Sequence, residues 1–564
     1  MTRLCGLLAG VCWALTCIRW FDVGEPFRPA WLAAIPPQVL ALATLALFAA
    51  AVHGHVPGAA RWLRARGSGL LFVMSLAVLF RLPLAWWGAA GYVTADGSLS
   101  GIMAVHLRDG VDRPVFVPHV GYSGSLKAHL AAVLSTFMDV ARALAVSSIV
   151  FYALFVGGLY AMALAAGASQ ATAVAAGLYG AFAPAWVTHY SLTNDGNYVD
   201  VLALGTWALY LCVRWFEDGE HGPTLATLTG LLLGLAFWCH VLAVFHILAA
   251  CIALVAFAPR RAPAALGFML AGFAAGYFPG LLWNAGENWF SFGYLLAGSH
   301  QDKPADLWAF PSRILPMITD HWPILLGYDS WYPRPLERLS RLLAFLAVAA
   351  ALYAGFVAAR RALRRHNPAL NVLLIFAGVD LILALLGSAH IPGNPRYLLF
   401  LMTPIPVFLA LALAVGWRRW VFLLLVGFGA VGSLASLAPK ADADARWRGF
   451  VARLESEGVR LCHTDYYLAA KINFLSEERV VCSSRLGPTT ADYFRYGERV
   501  DAAREPAALI PVNRTRAAKI EAQLAALGVR YERIDSMKPV FLRLSRRVDP
   551  DELRGQPAPP SVRR

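Results

Sequence analysis

Apolar residues run through this chain in long blocks separated by short polar punctuation. A helix needs about 20 mostly apolar residues to cross roughly 30 Å of hydrocarbon. Such runs fall near 4–20, 31–53, 69–90, 144–166, 169–187, 198–215, 222–239, 241–258, 264–283, 341–359, 369–389, 396–415 and 420–438. The pattern predicts a mainly α, polytopic membrane protein with about thirteen spans. The basic clusters "RWLRARG" (61–67), "PRR" (259–261), "ARRALRR" (359–365) and "WRR" (417–419) all fall on one face if the N-terminus is cytoplasmic. The opposite face then carries the long loops 91–143 and 285–340, short loops near 188–197 and 390–395, and everything after residue 439. The run 4–20 has no A-x-A-like cleavage site before Arg19, so a retained first span is expected rather than a signal peptide.

From Lys440 the pattern changes to amphipathic helices alternating with short strands. "RWRGFVARLESEG", "YYLAAKINFLS" and "RAAKIEAQLAALG" read as helices; "VRLCHTD", "ERVVCSS", "VRYERIDS" and "PVFLRLSRR" read as strands. This predicts a small α/β domain with a partly parallel sheet over 440–548, following a membrane domain over 1–439. The Pro- and Arg-rich residues 549–564 read as a disordered tail.

Composition agrees with the membrane class: 58% of the 564 residues are hydrophobic and 15% charged. The net charge of +14 is concentrated in clusters between apolar runs, which topology explains and a nucleic-acid groove does not. The eight cysteines form no C-x-x-C pair; Cys462 and Cys482, in the polar C-terminal part, are the pair for which a disulfide is conceivable. "GFGAVG" (427–432) fits a dinucleotide fingerprint but lies inside a membrane run, so helix packing is its expected role, as for "GLLLG" (230–234). The chain has neither a Walker A motif nor H-E-x-x-H.

Candidate chemistry begins with Asp96, a lone carboxylate where the third run leaves the lipid. The following Ser98–His106 stretch has the spacing of a short helix lying on the membrane surface. The stretch "ADGSLSGIMAVHLRDGVDRPVFVPHVGYSGSLKAHLAA" resembles the first outer loop of GT-C glycosyltransferases that use polyprenyl-phosphate sugars. This class includes protein O-mannosyltransferases and lipid A aminoarabinose transferases. One bacterial group of the class reads D-E-A-x-x-G-L-M-A, then G-x-x-P-x-F, then G-S-L-E-A-x-L-A-A. Asp96, Gly101, Met103, Ala104, Gly110, Pro114, Phe116, Gly124, Ser125 and Leu126 match it. The resemblance continues in "LTNDGNYVDVLALG" (192–205), "GLAFWCHVLAVFH" (234–246), "NPRYLLFLMTPI" (394–405) and "LAAKINFLSEERVV" (468–481). Two positions depart: Gly97 stands for the second acid of the D-E pair, and Lys127 for the Glu of G-S-L-E-A.

The resemblance implies transfer of a monosaccharide from a polyprenyl-phosphate donor to a glycan, lipid or protein acceptor outside the cytoplasm, at the bacterial inner membrane. Such a donor already carries a good leaving group. Asp96 is then the expected base on the acceptor hydroxyl, with inversion at the anomeric carbon. Asp200 or Asp195 supplies a second acid, Asp200 being favoured because its position is usually acidic. With Asp96 it would hold Mg²⁺ or Mn²⁺. Arg396 and Tyr397 would receive the leaving phosphate, with His390 and Asn394 as weaker companions. For Arg396 and Tyr397 the bland alternative is an interfacial anchor pair. Lys127 is a phosphate contact or, by preference, a snorkelling lysine. Arg81 and Asp380 lie mid-run, where a charge costs about 2.5–3.5 kcal/mol. They would pair with each other, or Arg81 would approach the donor phosphate. His240 and His246 are expected as packing histidines. The cluster His463, Asp465, Tyr466 and Tyr467 follows a strand, where open α/β sheets bind ligands. A transporter or flippase of lipid-linked glycans, or a relative without catalysis, are the rival readings. Gly97 and Lys127 sustain the latter.

Overall fold

The computed structural model describes residues 2–21, parts of 39–46, 57–218, 221–296, 310–329, 334–386, 395–437, 439–488 and 492–554. Among them, seven helices are long and apolar enough to cross a membrane: within Ala65–Tyr92, Val140–Ala165, Asp195–Glu217, Gly222–Cys239, Glu337–Arg365, Pro368–Leu386 and Gly416–Ser456. Two bent pairs bring the number to nine. They are Ala262–Gly276 with Phe278–Gly286, at 66°, and Arg396–Met402 with Pro404–Leu413, at 44°. The chain is a multi-pass membrane protein.

The remaining apolar runs are shorter for local reasons. The run 169–187 breaks at Pro184 into Gln170–Ala181 and Ala185–Tyr190, because proline has no N–H to continue a helix. The run 241–258 opens with a turn at Val241–Ala243 and leaves only Val244–Phe257 as helix. The run 31–53 lies almost wholly outside the described residues. Val140–Ala165 is the central helix, 72% buried over its apolar window, whereas Glu337–Arg365 is 33% buried and turns most of its surface outward. The expected packing role of "GLLLG" holds. A Cβ at Gly230 or Gly234 would overlap the carbonyls of Met269 and Phe273 on the neighbouring helix, so these glycines let two backbones touch.

The C-terminal part is the α/β unit its pattern predicts. After the helix Lys440–Ser456 come β1 (Leu461–His463), the helix Tyr466–Leu475, β2 (Val481–Ser483), the helix Tyr496–Ala502 and β3 (Ala508–Leu509). The helix Arg514–Ala526, β4 (Glu532–Asp535) and β5 (Pro539–Leu542) follow. The sheet order is β2-β1-β3-β5-β4, with β2, β1 and β3 parallel and β3, β5 and β4 antiparallel. Cys462 and Cys482 stand opposite each other on β1 and β2, 4.4 Å apart at Cα, and are joined as a disulfide. Residues 549–554, expected in the tail, belong to the domain instead. Leu553 is buried, and Asp549 and Asp551 both pair with Arg485.

This domain sits directly on the helix Ala95–Asp109 that carries Asp96. Phe474 lies so close to Gly101 that any Cβ there would overlap its ring. His106 Nε2 meets Glu478 Oε2 at 2.9 Å, and Arg108 meets Glu477 at 2.8 Å.

Candidate active site

Asp96 lies in the first turn of the helix Ala95–Asp109, whose start is organised by Thr94. Thr94 Oγ1 accepts from the Gly97 N–H at 3.2 Å, an N-cap, and donates to Asp195 Oδ1. Asp195 comes from the turn before the span Tyr198–Glu217, where Gly196 and Asn197 adopt left-handed backbone with φ of 62° and 54°. The Asn197 amide donates to Gly124 O at 2.8 Å and Cys239 O at 3.1 Å, tying this turn to the first outer loop and to the kink at His240.

These elements enclose a cavity of about 300 Å³. Asp96, Ser100, Tyr122, Asn194, Tyr198, His240, Arg396, Tyr397 and Tyr493 are among the residues lining it. The Asp96 carboxylate opens into the cavity yet has protein on most sides. Burial raises its pKa above the usual carboxylate range, the Asp195 carboxylate raises it further, and Arg396 pulls it down. Arg396 Nη2 donates to Tyr397 Oη at 3.1 Å. It makes no ion pair among the described residues. The cavity therefore holds a base and an open guanidinium of opposite charge.

Neither a protein-family model nor a curated protein matches this chain. Solved structures do. ArnT from Cupriavidus metallidurans in the apo state aligns with a TM-score of 0.55 at 11% identity, covering 86% of this chain and 98% of that one. The same protein bound to undecaprenyl phosphate aligns at 0.51 and 12%, covering 84% and 97%. The Archaeoglobus fulgidus oligosaccharyltransferase in the apo form gives 0.45 and 14%, over 79% of this chain and 69% of that one. The chain has the GT-C fold.

Within this GT-C fold the sequence-predicted site residues separate into two groups. Asp96, Arg396 and Tyr397 line one cavity, with Asp195 beside Asp96. Asp200, the favoured second acid, does not line it: its Oδ1 lies 2.8 Å from Lys127 Nζ, and both side chains are buried. Lys127 accordingly is neither a snorkelling lysine nor a cavity residue. Asp195 takes the place expected of Asp200, and its Oδ1 lies 3.6 Å from where a Cβ on Gly97 would stand. The acid missing at 97 thus has a carboxylate beside it, contributed from the other loop.

Arg81 is enclosed away from the cavity. Its Nε donates to Ser191 Oγ and its Nη1 to Ala181 O, both at 2.6 Å, and its guanidinium lies 3.9 Å from the Tyr152 ring centre. It thereby satisfies a carbonyl freed at the Pro184 break. Asp380 does not pair with it, and among the described residues both Asp380 oxygens lack hydrogen-bond partners. His240 and His246 are separated by the kink; His240 Nδ1 accepts from Leu242 N–H, while both His246 nitrogens lack partners. His390 and Asn394 lie outside the described residues. Among the described residues, no group of three or more His, Cys, Asp and Glu is placed to hold a metal ion. The expected Asp96–Asp200 metal pair does not fit this geometry, since Lys127 occupies Asp200.

Several residues of the site escape a reading of the sequence. Thr94 is one of them, and its only signal is that of a Thr standing just before a helix, the ordinary N-cap position. His189, with Nε2 3.8 Å from Asp195 Oδ2, has no local signal. Nor has Lys471, which donates from the C-terminal domain to the Val93 carbonyl at 3.0 Å and lies 4.3 Å from the Trp447 ring centre. Burial, aided by Lys440, pushes the Lys471 ammonium down to about 7 against the pull of Asp444 and Asp195. Tyr466 and Tyr493 pack together, with ring centres 6.1 Å apart. Burial and then the Asp96 carboxylate raise the Tyr466 hydroxyl.

Proposed function

We propose that the protein transfers a monosaccharide from a polyprenyl-phosphate donor to an acceptor outside the cytoplasm, with inversion. The observation that carries this reading is the cavity lined by both Asp96 and Arg396, which brings to one space a carboxylate and a guanidinium that makes no ion pair among the described residues. Asp96 takes the proton of the acceptor hydroxyl as its oxygen bonds to the anomeric carbon. The bond from that carbon to the phosphate oxygen breaks in line. The polyprenyl phosphate leaves with the electron pair, and Arg396, steadied by Tyr397, receives its developing charge. Asp195 acts on Asp96 through charge and holds Thr94; Asp200 and Lys127 are structural. The basic clusters support a cytoplasmic N-terminus and an extracytoplasmic C-terminal domain, and the family resemblance implies the bacterial inner membrane.

The test is transfer by purified protein in vesicles supplied with radiolabelled polyprenyl-phosphate sugars and a panel of acceptors. Wild type should transfer, and Asp96→Asn should bind donor but lose transfer. Equal transfer by the two would remove Asp96 from the mechanism. Labelled lipid crossing the bilayer without transfer would replace the enzyme with a transporter.

A further inference from the structure

A second cavity lies outside the cleft that holds Asp96. It measures about 460 Å³ and sits in the C-terminal domain. Its position follows from the sheet order. The helix Tyr466–Leu475 carries the chain from β1 outward to β2, whereas the helix Arg514–Ala526 carries it from β3 toward the opposite edge. Because β1 and β3 are adjacent and parallel, their connections diverge and open a crevice beyond their carboxyl ends. The residues around the cavity come from just beyond that edge: Asp465 after β1, Leu486 after β2, and Ile510 and Pro511 after β3.

The chemistry of its wall is mixed. Arg516 and Lys519 stand one turn apart on the same helix and line the cavity. Neither makes an ion pair among the described residues. Asp465 has divided its carboxylate: Oδ1 accepts from the N–H groups of Tyr467 and Leu468, and Oδ2 has no hydrogen-bond partner. Leu486, Ile510 and Pro511 supply an apolar side. A ligand that satisfies all three features carries an anionic group, hydroxyls that donate hydrogen bonds, and a face of C–H groups.

We infer that this crevice binds an anionic saccharide, a sugar bearing a carboxylate or phosphate, as part of the acceptor. Arg516 and Lys519 hold its charge and Asp465 takes a hydroxyl. The placement suits an acceptor subsite, because Asp465 is followed directly by Tyr466, whose ring packs against Tyr493 in the wall of the cleft. One residue step thus joins this crevice to the cleft. The inference rests on the transferase reading for its role, but binding at the crevice is measurable without it.

The experiment is calorimetric titration of the full-length protein in nanodiscs with glucuronic acid, glucose 6-phosphate, glucose and inorganic phosphate. The charged sugars should bind, at least tenfold more tightly than glucose or phosphate. The double variant Arg516→Gln/Lys519→Gln should weaken them tenfold or more, and Asp465→Asn, which keeps the helix cap, severalfold. Asp96→Asn should bind them as wild type does. No binding by either charged sugar, phosphate binding as tightly as glucose 6-phosphate, or unchanged affinity in a double variant that melts like wild type would each overturn the inference. Charged-sugar binding without transfer in vesicles would overturn the transferase reading and leave the crevice standing.

Discussion

Lys127 and Asp200 meet at 2.8 Å where neither side chain reaches solvent. An ion pair so placed has little to gain over apolar residues of similar size, but losing one partner strands the other charge. Lys127→Met should therefore destabilise the protein by about 3–5 kcal/mol, and adding Asp200→Leu should restore most of it. Thermal unfolding of the purified protein in detergent checks this. A Lys127→Met variant that melts like wild type would return Asp200 to the list of candidate catalytic acids.

The pH dependence of transfer should report Asp96. Only the ionised carboxylate accepts a proton, and burial together with Asp195 raises its pKa, so activity should climb with pH above the ordinary carboxylate range. Asp195→Asn keeps an acceptor for Thr94 but removes the like charge. The rising limb of kcat/KM should then move to lower pH. A limb that stays in place would disconnect the two carboxylates.

Arg396→Gln should lower transfer by about 10²–10³-fold, the loss typical of one donor to developing charge. Arg396→Lys should recover part of this through charge alone, without the fork geometry of the guanidinium. Single-turnover rates with bound donor separate this effect from weaker donor binding.

His106 should make the seat of the C-terminal domain sensitive to alkali. Burial would lower its pKa, but hydrogen bonds to Asp112 and Glu478 outweigh that and raise it to about 9. A folded-state value above the free one of about 6.5 contributes stability that is complete below about pH 6.5 and lost as pH rises through about 9. Unfolding midpoints across this window should fall with pH in wild type, and much less in His106→Gln.

Gly101→Ala should cost about 1–3 kcal/mol by forcing the Phe474 ring aside, and should reduce transfer because it moves the helix that carries Asp96. Phe474→Leu in the same chain should recover both. Stability recovered without transfer would show that the helix does more than sit in place.

How much of this could be read from the residues depends on the range of the forces involved. The alternation of helices and strands after Lys440 is local, and it foretold the partly parallel sheet; that Cys462 and Cys482 stand opposite each other depends on strand register, which made their disulfide only conceivable in the sequence. The apolar runs foretold helices and the break at His240, but not that Pro184 would interrupt the run 169–187, because a run of hydropathy does not register a backbone break within it. Asp195 and Asp200 stand in one short stretch and look interchangeable on paper. The left-handed turn at Gly196 and Asn197 decides between them, setting Asp195 beside Asp96 and Asp200 in the first turn of the helix, against Lys127. Arg81 and Asp380 looked like partners because each seemed to need a counter-charge. Arg81 instead found carbonyl and hydroxyl acceptors at a broken helix, which a count of charges does not anticipate.

The Lys471 ammonium that donates to the Val93 carbonyl belongs to a different domain from the helix whose entry it steadies. Grafting a foreign C-terminal domain onto this membrane core would take away that fastening, and with it the setting of the carboxylate three residues further on. A substitution in the C-terminal domain at this contact therefore reaches the setting of Asp96 without touching any membrane helix.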